Sequence, residues 1–105
     1  METISAEGLK ELLEQDPNIS LLDVREPWEF ELCQIQGSIN IPMSEIVDKL
    51  AMLNRSGEIV VICHHGMRSL QVAAYLENAG FETVINLEGG IAAWASCVDL
   101  QMPQY

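Results

Sequence analysis

The chain has 105 residues, 49% of them hydrophobic, with 16 acidic against 5 basic side chains and a formal net charge of −11. That length predicts one domain over residues 1–105, with enough apolar content for a core that needs no disulfides. The acidity speaks against nucleic-acid and anionic-membrane partners, which need basic patches; it is read as a means of solubility, the alternative being a surface that docks basic partners.

No apolar run approaches the roughly 18 residues of a membrane span, and no basic start followed by an apolar run marks a signal peptide. Cys33, Cys63 and Cys97 are odd in number and widely spaced. They form neither a disulfide framework nor a Cys-x-x-Cys dithiol, and no zinc spacing is present, so no metal is expected. A reducing, cytoplasmic setting follows as the simplest expectation.

In chain order, residues 1–4 predict a short edge strand. Ser5 is a good N-cap, Glu7 suits the first turn, and Leu9, Leu12 and Leu13 give the spacing of an amphipathic helix. Asp16-Pro17-Asn18 is a turn. Residues 19–24 predict a strand whose end carries Asp23 and Arg25. Residues 26–32 predict a short helical turn with Pro27 in its first turn and Trp28, Phe30 and Leu32 as packing residues. Residues 36–38 turn into a strand over 39–41, which Pro42 stops. Ser44 is placed to cap a helix with Ile46, Val47, Leu50 and Leu53 on its apolar face. Ser56-Gly57 precedes a β-branched run over 59–62 that suits a strand buried on both faces. A helix is predicted from the following loop to Asn78 or Ala79, with Leu70, Ala73, Ala74 and Leu76 toward the sheet and Gly80 as its C′ residue. Residues 83–87 predict the last strand, Gly89-Gly90 a turn, and 91–95 a short helix. The tail 98–105 has no period and is expected along the surface. Strands alternating with helices predict a three-layer α/β/α domain around a mainly parallel five-stranded sheet, with strand 59–62 near its centre.

The chemistry concentrates where that strand ends. Ligands of open α/β sheets bind outside the carboxyl ends of the strands, and Cys63-His64-His65-Gly66-Met67-Arg68-Ser69 sits at such an end. Backbone N–H groups of a tight loop can form an anion nest. The positive end of the next helix points at the same spot. Arg68, and a protonated His64 or His65, add charge. This setting favours a reactive thiolate at Cys63 and would equally cradle an oxyanion.

The loop resembles the active-site loop of single-domain rhodanese-type sulfurtransferases. So do Leu22-Asp23-Val24-Arg25-Glu26-Pro27-Trp28-Glu29-Phe30, Ile35-Gln36-Gly37-Ser38-Ile39-Asn40-Ile41-Pro42, and Gly80-Phe81 followed by Leu87-Glu88-Gly89-Gly90-Ile91-Ala92-Ala93-Trp94. The motifs follow the family's order over nearly the whole chain. The resemblance implies a rhodanese-like fold and a covalent, ping-pong mechanism. Cys63 would take sulfane sulfur from a donor such as thiosulfate as a persulfide. It would then pass that sulfur to cyanide in an assay, or to a thiol or protein acceptor in the cell. The amides of His64, His65, Gly66, Met67 and Ser69 would stabilise the persulfide, and Arg68 would bind the sulfonate-like end of the donor. No cofactor is implied.

Around the loop, Asp23 and Arg25 are expected to form an ion pair that braces it, and Ser69 to cap the helix. One of His64 and His65 is expected to line the pocket and the other to face water. Cys33, Cys97, Trp28 and Trp94 are expected to pack. An ion pair of Arg68 with Glu88 or Asp23 is the alternative to donor binding. Where the family often has Gly-His, this chain has Cys33-Gln34, which puts a second thiol before the third strand. The tail 98–105 is similar to the ending of rhodanese domains fused to adenylating enzymes of molybdopterin and thiamine synthesis, which points toward a protein acceptor. Related phosphatases and arsenate reductases resemble Cys, five residues, Arg. Here only four residues separate Cys63 from Arg68, a tighter loop that suits sulfur better than phosphoryl. An inactive binding module would be expected to lack Cys63. A persulfide carrier in a sulfur relay remains the alternative to an enzyme.

Overall fold

Short apolar runs alternate with helical patterns along the chain, and each run becomes a strand of one sheet. A computed structural model describes residues 1–105. The strands are Glu2–Ile4 (β1), Ser20–Asp23 (β2), Ile39–Asn40 (β3), Glu58–Ile62 (β4) and Thr83–Leu87 (β5). The helices are Ala6–Gln15 (α1), Pro27–Leu32 (α2), Met67–Asn78 (α3) and Gly90–Cys97 (α4). The sheet order is β1-β5-β4-β2-β3 and every pairing is parallel. The expected mainly parallel sheet is therefore wholly parallel, with β4 at its centre.

Alternation along β4 divides the core. Val60 and Ile62 face the layer that holds Leu9 of α1 and Ile91 and Trp94 of α4. Ile59, Val61 and Cys63 face Val72, Ala73 and Leu76 of α3. Leu9, Leu22 and Leu76 are wholly buried; each such side chain stabilises the fold by about 1.5–3 kcal/mol. Helices thus cover both faces of the sheet.

The element ends follow their local chemistry. Ser5 accepts the Gly8 N–H and caps α1. In α2, Glu26 and Glu29 close a capping box and Pro27 holds the first position. At the end of α3, Gly80 has φ +93°, Phe81 N–H donates to Leu76 O and Gly80 N–H to Glu77 O, the Schellman pattern expected for that glycine.

Four expectations need correction. Residues 43–53 form no continuous helix. Two 3₁₀ turns, Met43–Glu45 and Leu50–Met52, replace it, and the first follows Pro42 with no cap from Ser44. Ile46 is buried while Val47 is exposed, so the segment covers the sheet without a full apolar stripe. On α3 the sheet-facing set is Ser69, Val72, Ala73 and Leu76; Leu70 is rotated to the exposed side. On α2, Trp28 and Leu32 face solvent while Glu29 is buried, the reverse of the expected packing face. Cys97 is exposed, whereas Cys33 is buried. No helix is long and apolar enough to cross a membrane.

Candidate active site

Because β4 lies between β5 and β2, the loops after those two strands crowd the loop after β4. Ile62 stands opposite Asp23 of β2, and Val61 opposite Asn86 of β5. The loop Cys63–Ser69 therefore meets α2 on one side, through Arg68, and the start of α4 on the other.

The α4 side orients the loop backbone. Ile91 N–H donates to Cys63 O at 2.9 Å and Ala92 N–H to His64 O at 3.0 Å. The first turn of α4 thus holds both carbonyls that begin the loop. At Gly90 (φ +58°) a Cβ would overlap those same two carbonyls, so a glycine is required for this approach. The N–H groups of His64, His65, Met67, Arg68 and Ser69 have no partner within the chain, and the Gly66 N–H donates to Cys63 Sγ at 3.0 Å. Cys63 is 1% exposed. The sulfur thus lies against a backbone donor, just before the N-terminus of a twelve-residue helix.

Gly66, with φ +99°, is the N-cap of α3. Ser69 is not that cap, contrary to expectation. It is fully buried, and its hydroxyl donates to Asn86 Oδ1 at 2.5 Å while Asn86 Nδ2 donates to Gly66 O at 3.3 Å. Asn86 therefore ties the loop's last turn to β5. It was missed in the sequence, although a polar residue inside the apolar run Val84-Ile85-Asn86-Leu87 signals a buried group that must find partners.

The α2 side supplies charge. Arg68 donates to both oxygens of Glu29, at 2.7 and 2.9 Å. Its partner is thus neither Glu88 nor Asp23. Glu29 also accepts from Tyr105 Oη at 2.7 Å and from Glu26 N–H at 2.9 Å. Arg68 holds the Glu29 carboxyl down at about 2, against the opposing effect of burial, and Glu29 raises Arg68 in return. Burial, with the Glu29 contact, pushes the Tyr105 hydroxyl up to about 12. Asp23 and Arg25 form a wholly buried ion pair at 2.7 Å. Arg25 spends its other donors on Cys33 O, Glu29 O and Tyr105 Oη. Burial disfavours its charge, but the bonds to Asp23 and Tyr105 outweigh that and shift it upward. The pair thus braces α2 and the tail, and through Glu29 it reaches the loop.

The tail runs along the surface as expected, anchored at two points. Met102 is buried, and the Tyr105 ring stacks on His64 with centroids 3.9 Å apart. His64 stacks in turn on His65 at 4.0 Å. Burial, then the neighbouring His65, lower the His64 pKa. His65 and Met67 are exposed at the rim, with Trp28 edge-on to Tyr105. A small cavity of about 110 Å³ lies among His64, His65, Ile91, Ala92, Pro103 and Tyr105. A larger hollow of about 590 Å³ lies among Leu13, Pro17, Ile35 and Trp94 and includes no loop residue. Cys33 packs in the cluster on the opposite face of the sheet from Cys63. No group of three or more His, Cys, Asp and Glu is placed to share a metal ion.

The profile of the rhodanese-like domain family matches residues 5–97. A protein of Bacillus subtilis strain 168, YtwF, provisionally named a sulfurtransferase, is 43% identical over 94 residues, covering 90% of each chain. A second protein of that strain, YrkF, provisionally named a sulfur carrier protein, is 38% identical over 87% of this chain, which spans only 49% of its length. A rhodanese-like domain protein from Staphylococcus aureus superposes with a TM-score of 0.83 at 35% identity, covering 90% of this chain and 91% of that one.

Proposed function

The chain belongs to the rhodanese-like domain family, and from that premise we propose that it is a sulfurtransferase working through a persulfide on Cys63. The Cys63 thiolate attacks the sulfane sulfur of a donor such as thiosulfate. A bond forms between Sγ and that sulfur, the bond to the sulfonate sulfur breaks, and sulfite leaves with its electron pair. An acceptor nucleophile then attacks the outer sulfur and the Cys63 thiolate is restored. The acceptor is cyanide in vitro and a thiol or a protein thiolate in a reducing cytoplasm, a setting consistent with three free cysteines.

The observation that carries this is the Gly66 N–H on Cys63 Sγ at 3.0 Å, within a loop whose other amides are unpartnered. Such preorganised donors stabilise a terminal persulfide anion without reorganising. His65 and Met67 are exposed beside the loop, and Arg68, paired with Glu29, lies at its end. The test is intact mass after exposure to thiosulfate, together with cyanolysis. Wild type should gain one sulfur that a reductant removes, and Cys63→Ala should gain none and lose turnover while its melting curve is retained. Turnover surviving in Cys63→Ala would sink the mechanism.

A persulfide carrier in a relay is the second reading, favoured by the similarity to YrkF and by the exposed rim of Trp28 and Met67. It predicts fast sulfur transfer to a protein thiol with slow cyanolysis. A phosphatase is disfavoured by the four-residue spacing and by Glu29 occupying the Arg68 fork that a phosphoryl group would need. Efficient hydrolysis of p-nitrophenyl phosphate would reverse that.

A further inference from the structure

The chain has five cationic side chains beyond its N-terminus, and none stands free at the sulfur site. Arg25 is buried against Asp23. Lys49 pairs with Glu45, and Arg55 donates to Ala79 O. Lys10 is exposed on α1, which covers the other face of the sheet from Cys63. Arg68 alone borders the loop, and both of its terminal nitrogens are on Glu29.

Glu29 cannot step aside easily. Its side chain is 5% exposed. Tyr105, itself held by Arg25, and the α2 backbone at Glu26 both donate to it. A substrate anion that took the Arg68 fork would leave a buried carboxylate without its cation, which is costly. The Arg68–Glu29 pair therefore presents little net charge to the loop, and the surrounding molecule carries −11. The donor is left with a set of neutral amides.

We propose that Glu29 is a specificity-determining residue. By closing the Arg68 fork it turns the site from dianionic thiosulfate toward an uncharged or singly charged sulfane sulfur, a thiol persulfide R–S–SH. This rests on the Cys63 sulfur-transfer reading. The Cys63 thiolate attacks the terminal sulfur of R–S–SH and the new Sγ–S bond forms as the R–S–S bond breaks. The thiolate RS⁻ leaves with that electron pair and the proton stays on the transferred sulfur or is lost to water, so no outside oxidant or reductant enters. Glu29 acts through Arg68 and is a positioning residue.

The experiment compares two probes, thiosulfate and 2-hydroxyethyl persulfide, by the rate of one-sulfur gain at Cys63 in single turnover, read by intact mass. Glu29→Gln loses the charge and keeps one acceptor oxygen, for either Tyr105 or the Glu26 N–H, which use different carboxylate oxygens in the wild type. Its rate with thiosulfate should rise roughly tenfold through a lower half-saturation concentration, the effect of one unmasked charge near a half-exposed site, while the persulfide rate moves less than about twofold. In Glu29→Gln/Arg68→Met the ratio of the thiosulfate rate to the persulfide rate should fall back about tenfold from its value in Glu29→Gln, because the unmasked charge has been removed. A merely structural role for Glu29 would move both probes together. The proposal is overturned if folded Glu29→Gln leaves the ratio of the two rates unchanged. It is also overturned if the double variant selectively loses thiosulfate, which would mean that Arg68 already binds that donor in the wild type; this arm holds even where the single variant fails to fold. If wild-type Cys63 gains sulfur from neither probe, the sulfur-transfer reading itself falls and the proposal with it.

Discussion

Glu29 and Asn86 do at residue scale what Cys63 and Arg68 cannot do alone. Cys63 and Arg68 were legible because thiol, glycine and guanidinium fall within one short run. Glu29 lies 39 residues before Arg68, and Asn86 lies 17 after Ser69. Neither carries a local pattern, since a glutamate in a first helical turn reads as a favourable charge and nothing more. Glu29 has a pH signature. Its carboxyl falls from 4.5 to about 2 on folding, chiefly through the hydrogen bonds from Arg68. The unfolded chain therefore binds the proton more readily. Stability from this group is complete above pH 4.5 and is lost as the pH falls toward about 2. The stability difference between wild type and Glu29→Gln, measured by denaturant melts across that window, should shrink as the pH drops. A constant difference would show that the ion pair is not what lowers the carboxyl.

At the scale of elements, the loop is held by the helices that come after the two neighbouring strands. The order β1-β5-β4-β2-β3 brings α4 and α2 to the end of β4, and the first turn of α4 fixes the carbonyls of Cys63 and His64. Gly90→Ala should push α4 away from those carbonyls, losing most sulfur loading at Cys63, with a backbone strain of about 1–3 kcal/mol. Gly57→Ala is the control. Its φ of +81° is strained too, but a Cβ there meets nothing within 4 Å, so it should lower the melting temperature and leave loading intact. Equal loss of loading in both would show that general destabilisation, not the α4 contact, is responsible. The segment 43–53 shows where element prediction failed. Ile46, Val47, Leu50 and Leu53 have helical spacing, yet Pro42 and the short span back to β4 allow two 3₁₀ turns instead, because tertiary covering of the sheet outweighs weak helix propensity.

At the scale of the whole molecule, a net charge of −11 on 105 residues is a standing self-repulsion within a radius of gyration of 12.5 Å. Raising ionic strength near neutral pH should therefore raise the melting temperature, since screening relieves like charges while the buried Asp23–Arg25 pair is little affected. A melting temperature that falls with added sodium chloride would show that the exposed ion pairs outweigh the repulsion. By itself the amino-acid sequence determined the α/β class, the strand at the centre, the thiol at its end and the family whose motifs it carries. All of these are written in runs of a few residues, in β-branched stretches, caps and a loop of particular length. Tertiary structure alone decided the remainder. It showed that Arg68 is answered by Glu29, that Asn86 ties the loop to β5, and that Tyr105 lies stacked on His64. Each joins segments distant along the chain, and only the order of strands in the sheet brings them into contact.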